Sequence, residues 1–131
     1  MRDLNEMREF ARSYTEAWCS HDPGRVAAHF APGGTIAVNG GQPTGAEDVA
    51  RSFMDAFPDI EVLMDDVVAR DEVVEYHWTF TGTSTGPGGT GQPVRISGVE
   101  EWTLGEDGLV LESQGRFDQA EYERQLEHGA P

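Results

Sequence analysis

Lysine is missing from this chain: all nine basic residues are arginine. That excludes a Schiff-base lysine and the lysine of a phosphate loop. Basic residues are scarce as a class, nine against twenty-four acids, for a formal net charge of −15. No basic footprint for nucleic acid exists, and an anionic membrane surface would be repelled. Expected partners are neutral, apolar or cationic. The one cysteine, Cys19, excludes an intramolecular disulfide and every Cys-pair zinc or redox motif; a small buried hydrophobe is its default role. No apolar run approaches 18 residues, so no membrane span is expected. The polar opening Met1–Phe10 does not read as a signal peptide, and the expected location is cytoplasmic. The four histidines, His21, His29, His77 and His128, show no ligand spacing, so neither a metal nor a cofactor is expected.

What is present is enough for one domain, residues 1–131. Leu4, Met7, Ala11, Tyr14 and Trp18 recur at steps of three and four, which predicts a helix over 4–20. Asp3 is its N-cap, with Glu6 placed for a capping box. Asp22-Pro23 starts a turn and a short second helix over about 23–30, which Pro32-Gly33-Gly34 stops. Residues 35–38 read as a short strand and 39–45 as turn. A third helix is expected over 46–57, ending at Pro58. From Asp59 the period becomes two. Ile60, Val62 and Met64 alternate with acids and Leu63 up to Arg70, and Arg70-Asp71-Glu72 turns. Val74, Tyr76, Trp78 and Phe80 then oppose Glu75, His77, Thr79 and Thr81, giving one aromatic and one polar face. Gly82–Gly91 reads as a flexible hairpin loop over the mouth of a pocket rather than a phosphate cradle, since it lacks the Gly-Lys-Ser/Thr ending. Strands follow over 94–104 and 109–117. Asp118 then caps a closing helix, with Glu121 three residues on. Helices gathered on one face of a curved antiparallel sheet define an α+β architecture.

This order resembles the nuclear transport factor 2-like (cystatin-like) superfamily, which includes SnoaL-like polyketide cyclases and ketosteroid isomerases. The resemblance rests on Ser13-Tyr14-Thr15-Glu16-Ala17-Trp18 running into His21-Asp22, on Phe30-Ala31-Pro32 before a strand, and on Gly82-Thr83-Ser84-Thr85-Gly86. Phe117-Asp118 followed by Arg124-Gln125-Leu126 is most similar to the SnoaL-like branch. It implies a cone-shaped sheet with helices on its concave face and a deep pocket between them. In the isomerases a first-helix tyrosine and a strand carboxyl bind an enolate oxygen; those positions hold Tyr14 and Glu100. The aspartate that moves the proton falls on Val38, and the cyclase acid/base falls on Gly115. Neither branch's acid is therefore in its usual place. The resemblance also implies a homodimer paired through the outer sheet face, where Glu75, His77, Thr79 and Arg95 are expected.

Alternation puts Glu100 on one face with Trp102 and Leu104; a register slip of one would put Glu101 inside instead. A carboxyl among aromatic walls is desolvated, which raises its pKa and suits it to acid/base work. Tyr14 is either its partner or an ordinary core tyrosine. The expected catalytic residues are Glu100 and Tyr14. The expected lining is Trp18, Val38, Phe53, Phe57, Tyr76, Trp78, Phe80, Trp102, Gly115 and Phe117, around a neutral, hydrophobic, ring-containing carbonyl compound. The function expected first is cyclisation or isomerisation through an enolate. A non-catalytic small-molecule binder and a dimeric protein-interaction module stand beside it.

Overall fold

The computed structural model describes residues 3–70 and 72–131. Helix α1, Leu4–Cys19, buries Met7, Phe10, Ala11, Tyr14, Ala17 and Trp18; of the stripe its spacing predicts, Leu4 in the first turn is exposed instead. The Asp3 carboxylate caps it, accepting the Glu6 N–H at 2.8 Å. Helix α2, Pro23–Ala27, starts with proline in its first turn and with Asp22 accepting the Gly24 N–H at 3.0 Å. It ends sooner than expected, because Phe30 already belongs to strand β1, Phe30–Val38.

Pro32-Gly33-Gly34, expected to stop the second helix, lies inside β1 as an irregularity between Phe30 and Thr35. Glycine carries that irregularity. Gly33 has φ +79°, and a Cβ at Gly34 would stand 2.9 Å from the carbonyl oxygens of Ala31 and Val110. Thr44–Gly45, expected as turn, forms a two-residue strand β2 antiparallel to β1. Helix α3, Ala46–Ala56, follows at once. Strands β3 (Glu61–Arg70), β4 (Val73–Thr83), β5 (Pro93–Leu104) and β6 (Val110–Phe117) then form an antiparallel meander. The turn expected at Arg70-Asp71-Glu72 includes Asp71, which lies outside the described residues. Helix α4, Gln119–His128, is capped by Asp118, which accepts the Glu121 N–H at 3.0 Å.

One curved, unclosed sheet results, ordered β2-β1-β6-β5-β4-β3, in an α+β fold. All its pairings are antiparallel except β1 with β6, which run parallel. Alternation in β3 is broken by a bulge at Asp65, between Met64 and Asp66. The extra residue lets Val62 and Val67, an odd number of positions apart, both be buried. It also sends the Asp65 carboxylate outward, where it accepts the Thr79 hydroxyl at 2.6 Å. Helix α1 packs across β3, and α3 packs against α2 and β1. The apolar stripes of these helices merge with the inner sheet face into one core. Among the described residues, no helix is long and apolar enough to cross a membrane.

Candidate functional site

The inner sheet face is hollowed by two glycines that flank one carboxyl. On β5 alternation brings Gly98, Glu100 and Trp102 to the inner face, and Glu100 lies between Tyr76 of β4 and Gly115 of β6. Val38 of β1 lies opposite Gly115, while Gly98 lies between Trp78 and Phe117. The two glycines are used differently. Gly98 is covered by an indole, since a Cβ there would come within 2.6 Å of Trp78 and 2.5 Å of the Arg116 carbonyl. At Gly115 a Cβ would meet only the Ala37 carbonyl at 3.7 Å and Glu100 Cγ at 3.8 Å.

The space above is an apolar cavity of about 70 Å³. Val38, Tyr76, Trp78, Phe80, Glu100, Gly115 and Phe117 line it from the sheet, and Trp18 of α1 and Phe53 of α3 line it from the helices. Four further wall residues, Ile36, Val49, Ile60 and Val62, were not anticipated. Ile60 and Val62 sit on the period-two alternation that begins at Asp59, so periodicity marks both as inward-facing; what periodicity lacks is which inward residues converge. Phe57 and Trp102, expected in the lining, do not reach the cavity. Phe57 is fully buried against Phe80, with ring centroids 5.2 Å apart. Trp102 is fully buried behind Tyr76, stacked at 5.0 Å.

Tyr14 does not line the cavity either. It is fully buried, and its hydroxyl donates to Glu100, 3.0 Å from Oε1 and 3.2 Å from Oε2. Glu100 Oε1 also accepts the Ser113 hydroxyl at 2.8 Å and the Trp102 Nε1–H at 3.1 Å. The donors are thus crowded on Oε1, while Oε2 shares only the Tyr14 proton. When the carboxyl is neutral its proton belongs on Oε2, since placing it on Oε1 would displace a donor. Burial pushes the Glu100 pKa above its ordinary value, and the three donors pull only part of the way back. Burial, together with the Glu100 charge, holds the Tyr14 phenol well above its ordinary range. Tyr76 is raised by burial as well, and its hydroxyl is bonded to Thr15 Oγ1 at 2.5 Å.

Trp78 Nε1 is the exception in this network: it is buried and has no hydrogen-bond partner. The hairpin loop after β4 takes no part in the lining. Instead of covering the cavity it is fastened to the end of α3, where the Gly86 N–H donates to the Ala56 carbonyl at 3.2 Å and Ser84 is buried. His77 bonds Glu75 at 3.2 Å on the opposite sheet face, and His21 bonds the Ile60 carbonyl at 2.9 Å. Cys19, expected to be buried, is exposed, with its sulfur 3.3 Å from both the N–H and the carbonyl of Val62. Among the described residues no three His, Cys, Asp or Glu side chains are grouped to hold a metal ion.

Comparison with known proteins follows the same outline. The SnoaL-like domain matches residues 11–113. No curated protein matches significantly. TsrD from Streptomyces laurentii superposes with a TM-score of 0.81 at 18% identity, over 96% of this chain and 98% of its own. A candidate SnoaL-like polyketide cyclase from Jannaschia sp. CCS1 gives 0.78 at 20% identity, over 100% of this chain and 99% of its own. A protein with a ketosteroid isomerase-like fold from Catenulispora acidiphila, crystallised with trimethylamine, gives 0.73 at 17%, over 89% of this chain and 91% of its own. At these identities the likeness is one of fold.

Proposed function

The chain belongs to the SnoaL-like domain family, and from that premise we propose that it binds a small, neutral, hydrophobic carbonyl compound in the cavity and acts on it through enolate chemistry. One observation carries this reading: a single carboxyl, Glu100, lines an otherwise apolar cavity with its donors crowded on one oxygen. As the carboxylate, Glu100 takes the proton from the carbon next to the carbonyl. As the resulting acid, it returns that proton to another carbon, which isomerises the substrate, or gives it to the alkoxide oxygen formed when the enolate carbon adds to a second carbonyl of the same molecule and closes a ring. A raised pKa favours the first transfer, because a weaker acid is the stronger base. Tyr14, Trp102 and Ser113 aim the carboxyl and temper its charge without touching the substrate.

A binder without catalysis is the second reading, favoured by Val38 and Gly115 at the two positions where the resembling enzymes carry their acids. The family resemblance further suggests two copies paired through the outer sheet face, where Glu75 and His77 sit half-buried beside the more open Arg95.

Deuterium uptake separates the two readings. A panel of cyclic ketones and diketones is incubated with the protein in heavy water and followed by mass spectrometry. Uptake above the buffer rate, lost in Glu100→Gln, is the expected result. Ketones that bind and stabilise the protein while exchanging no faster than in buffer would leave a binding protein.

A further inference from the structure

Enolate chemistry requires a donor for the oxygen as well as a base for the carbon. The phenol assigned to that task by position, Tyr14, is spent on Glu100. Resting on the function proposed above, we infer that the Trp78 indole N–H is the donor that holds the substrate's carbonyl oxygen, leaving Glu100 to face the adjacent carbon.

Four observations support the assignment. Trp78 is a wall of the same cavity as Glu100. Its Nε1 is buried without a partner, and among the described residues it is the one buried side-chain nitrogen or oxygen left so. An orphaned buried donor is rare in folded proteins and costs about 1–3 kcal/mol, a deficit that an entering acceptor removes. The other two tryptophans are placed otherwise. Trp102 spends its N–H on Glu100 and lies outside the lining, while Trp18 reaches the cavity from the helix side.

Spacing supports the pairing. Trp78 lies opposite Gly98, and its indole crosses the bare backbone there, bringing the ring from β4 over β5. Glu100 is the next inward residue on β5 after Gly98, about 6.6 Å along the strand, so the indole and the carboxyl are neighbours on one wall of the cavity. The absence of a side chain at Gly98 is what lets the indole lie there, so the glycine and the tryptophan act as a unit. The ligand chemistry that follows is narrow. It is a neutral carbonyl oxygen next to a carbon bearing hydrogen, in an apolar frame, and not a carboxylate, which Glu100 would repel.

The test reads the indole itself. Protein labelled with ¹⁵N carries three tryptophans, hence three indole N–H signals, and Trp78→Phe identifies one by its loss. The probes are cyclohexanone, which has an acceptor, and cyclohexene, which has none. Cyclohexanone is expected to move the Trp78 signal downfield and slow its exchange with water, whereas cyclohexene shifts other cavity signals only. Trp78→Phe removes wall surface as well as the N–H, so both probes should weaken, cyclohexanone by roughly tenfold more than cyclohexene. In Glu100→Gln the downfield shift should persist, since the oxygen's donor is untouched. Cyclohexanone binding that leaves the Trp78 signal where cyclohexene leaves it, with both probes weakened equally in Trp78→Phe, overturns the inference while the proposed function stands. If neither probe shifts any cavity signal, the functional reading falls and this inference falls with it.

Discussion

Glu100 is the residue at which burial and hydrogen bonding oppose each other. Burial wins, so its folded pKa lies above the ordinary 4.5. Between those two values the folded protein binds more protons than the unfolded chain, and stability falls as pH rises through the window. The carboxyl's contribution is fully present below 4.5 and is lost as pH climbs through the folded value. Asp59 and Glu121 run the other way, with pKa values lowered by their hydrogen bonds. Total stability therefore mixes signs, and comparison with Glu100→Gln isolates the one group. The difference in melting temperature, wild type minus Glu100→Gln, is expected to shrink steadily from pH 4 towards neutrality; a difference that grows with pH would contradict the assignment. Alternation along β5 was enough to place Glu100 inward, because strand geometry dictates faces. Tyr14 was in view as a partner for Glu100, but nothing disclosed that Trp102 also turns its N–H on Glu100 or that neither ring lines the cavity. Periodicity orients the Cα–Cβ bond, and the far end of a large aromatic is set by neighbours from other elements.

The same limit operates on whole elements. Helices α1, α3 and α4 and strands β4 to β6 were legible because each carries its own period, cap or turn. β1 was not, since Pro32-Gly33-Gly34 breaks a pattern locally while the backbone continues through a bulge held by β6. β2 is two residues long and exists only through its pairing with β1. The bulge at Asp65 likewise leaves no local mark. Paired glycine substitutions test the description of β5 and β6 as the cavity floor. Gly98→Ala drives a methyl into the Arg116 carbonyl and the Trp78 indole and should cost about 1–3 kcal/mol. Gly115→Ala adds a methyl at ordinary contact distance, at a negative φ, and should change stability by less than about 1 kcal/mol, in the stabilising direction. Urea unfolding of the two variants reads this directly. Equal losses at both positions would mean that the two hollows are not different in kind.

For the whole molecule, the dominant fact about association is charge. Each copy carries −15, so pairing of two copies works against mutual repulsion that salt screens. If the outer sheet face pairs two chains, light scattering should show the dimer fraction rising as sodium chloride goes from about 0.05 to about 0.5 M. A dimer that weakens with salt would instead be held by ion pairs across the interface. The parallel pairing of β1 with β6 has a different kind of consequence. Phe30 lies opposite Val110, so the strand carrying Ile36 and Val38 leaves the ribosome long before its partner exists. Apart from its two-residue pairing with β2, the nascent chain must hold that apolar segment with its other edge unpaired until the last strand emerges, and closing so long a loop is entropically expensive. The β3–β6 meander is built from sequence neighbours, so it is expected to assemble first, with the wall formed by β1 added afterwards. Until then β6 presents an open edge next to the glycine-floored hollow, and during that interval a crowded chain is most exposed to pairing with another copy of itself.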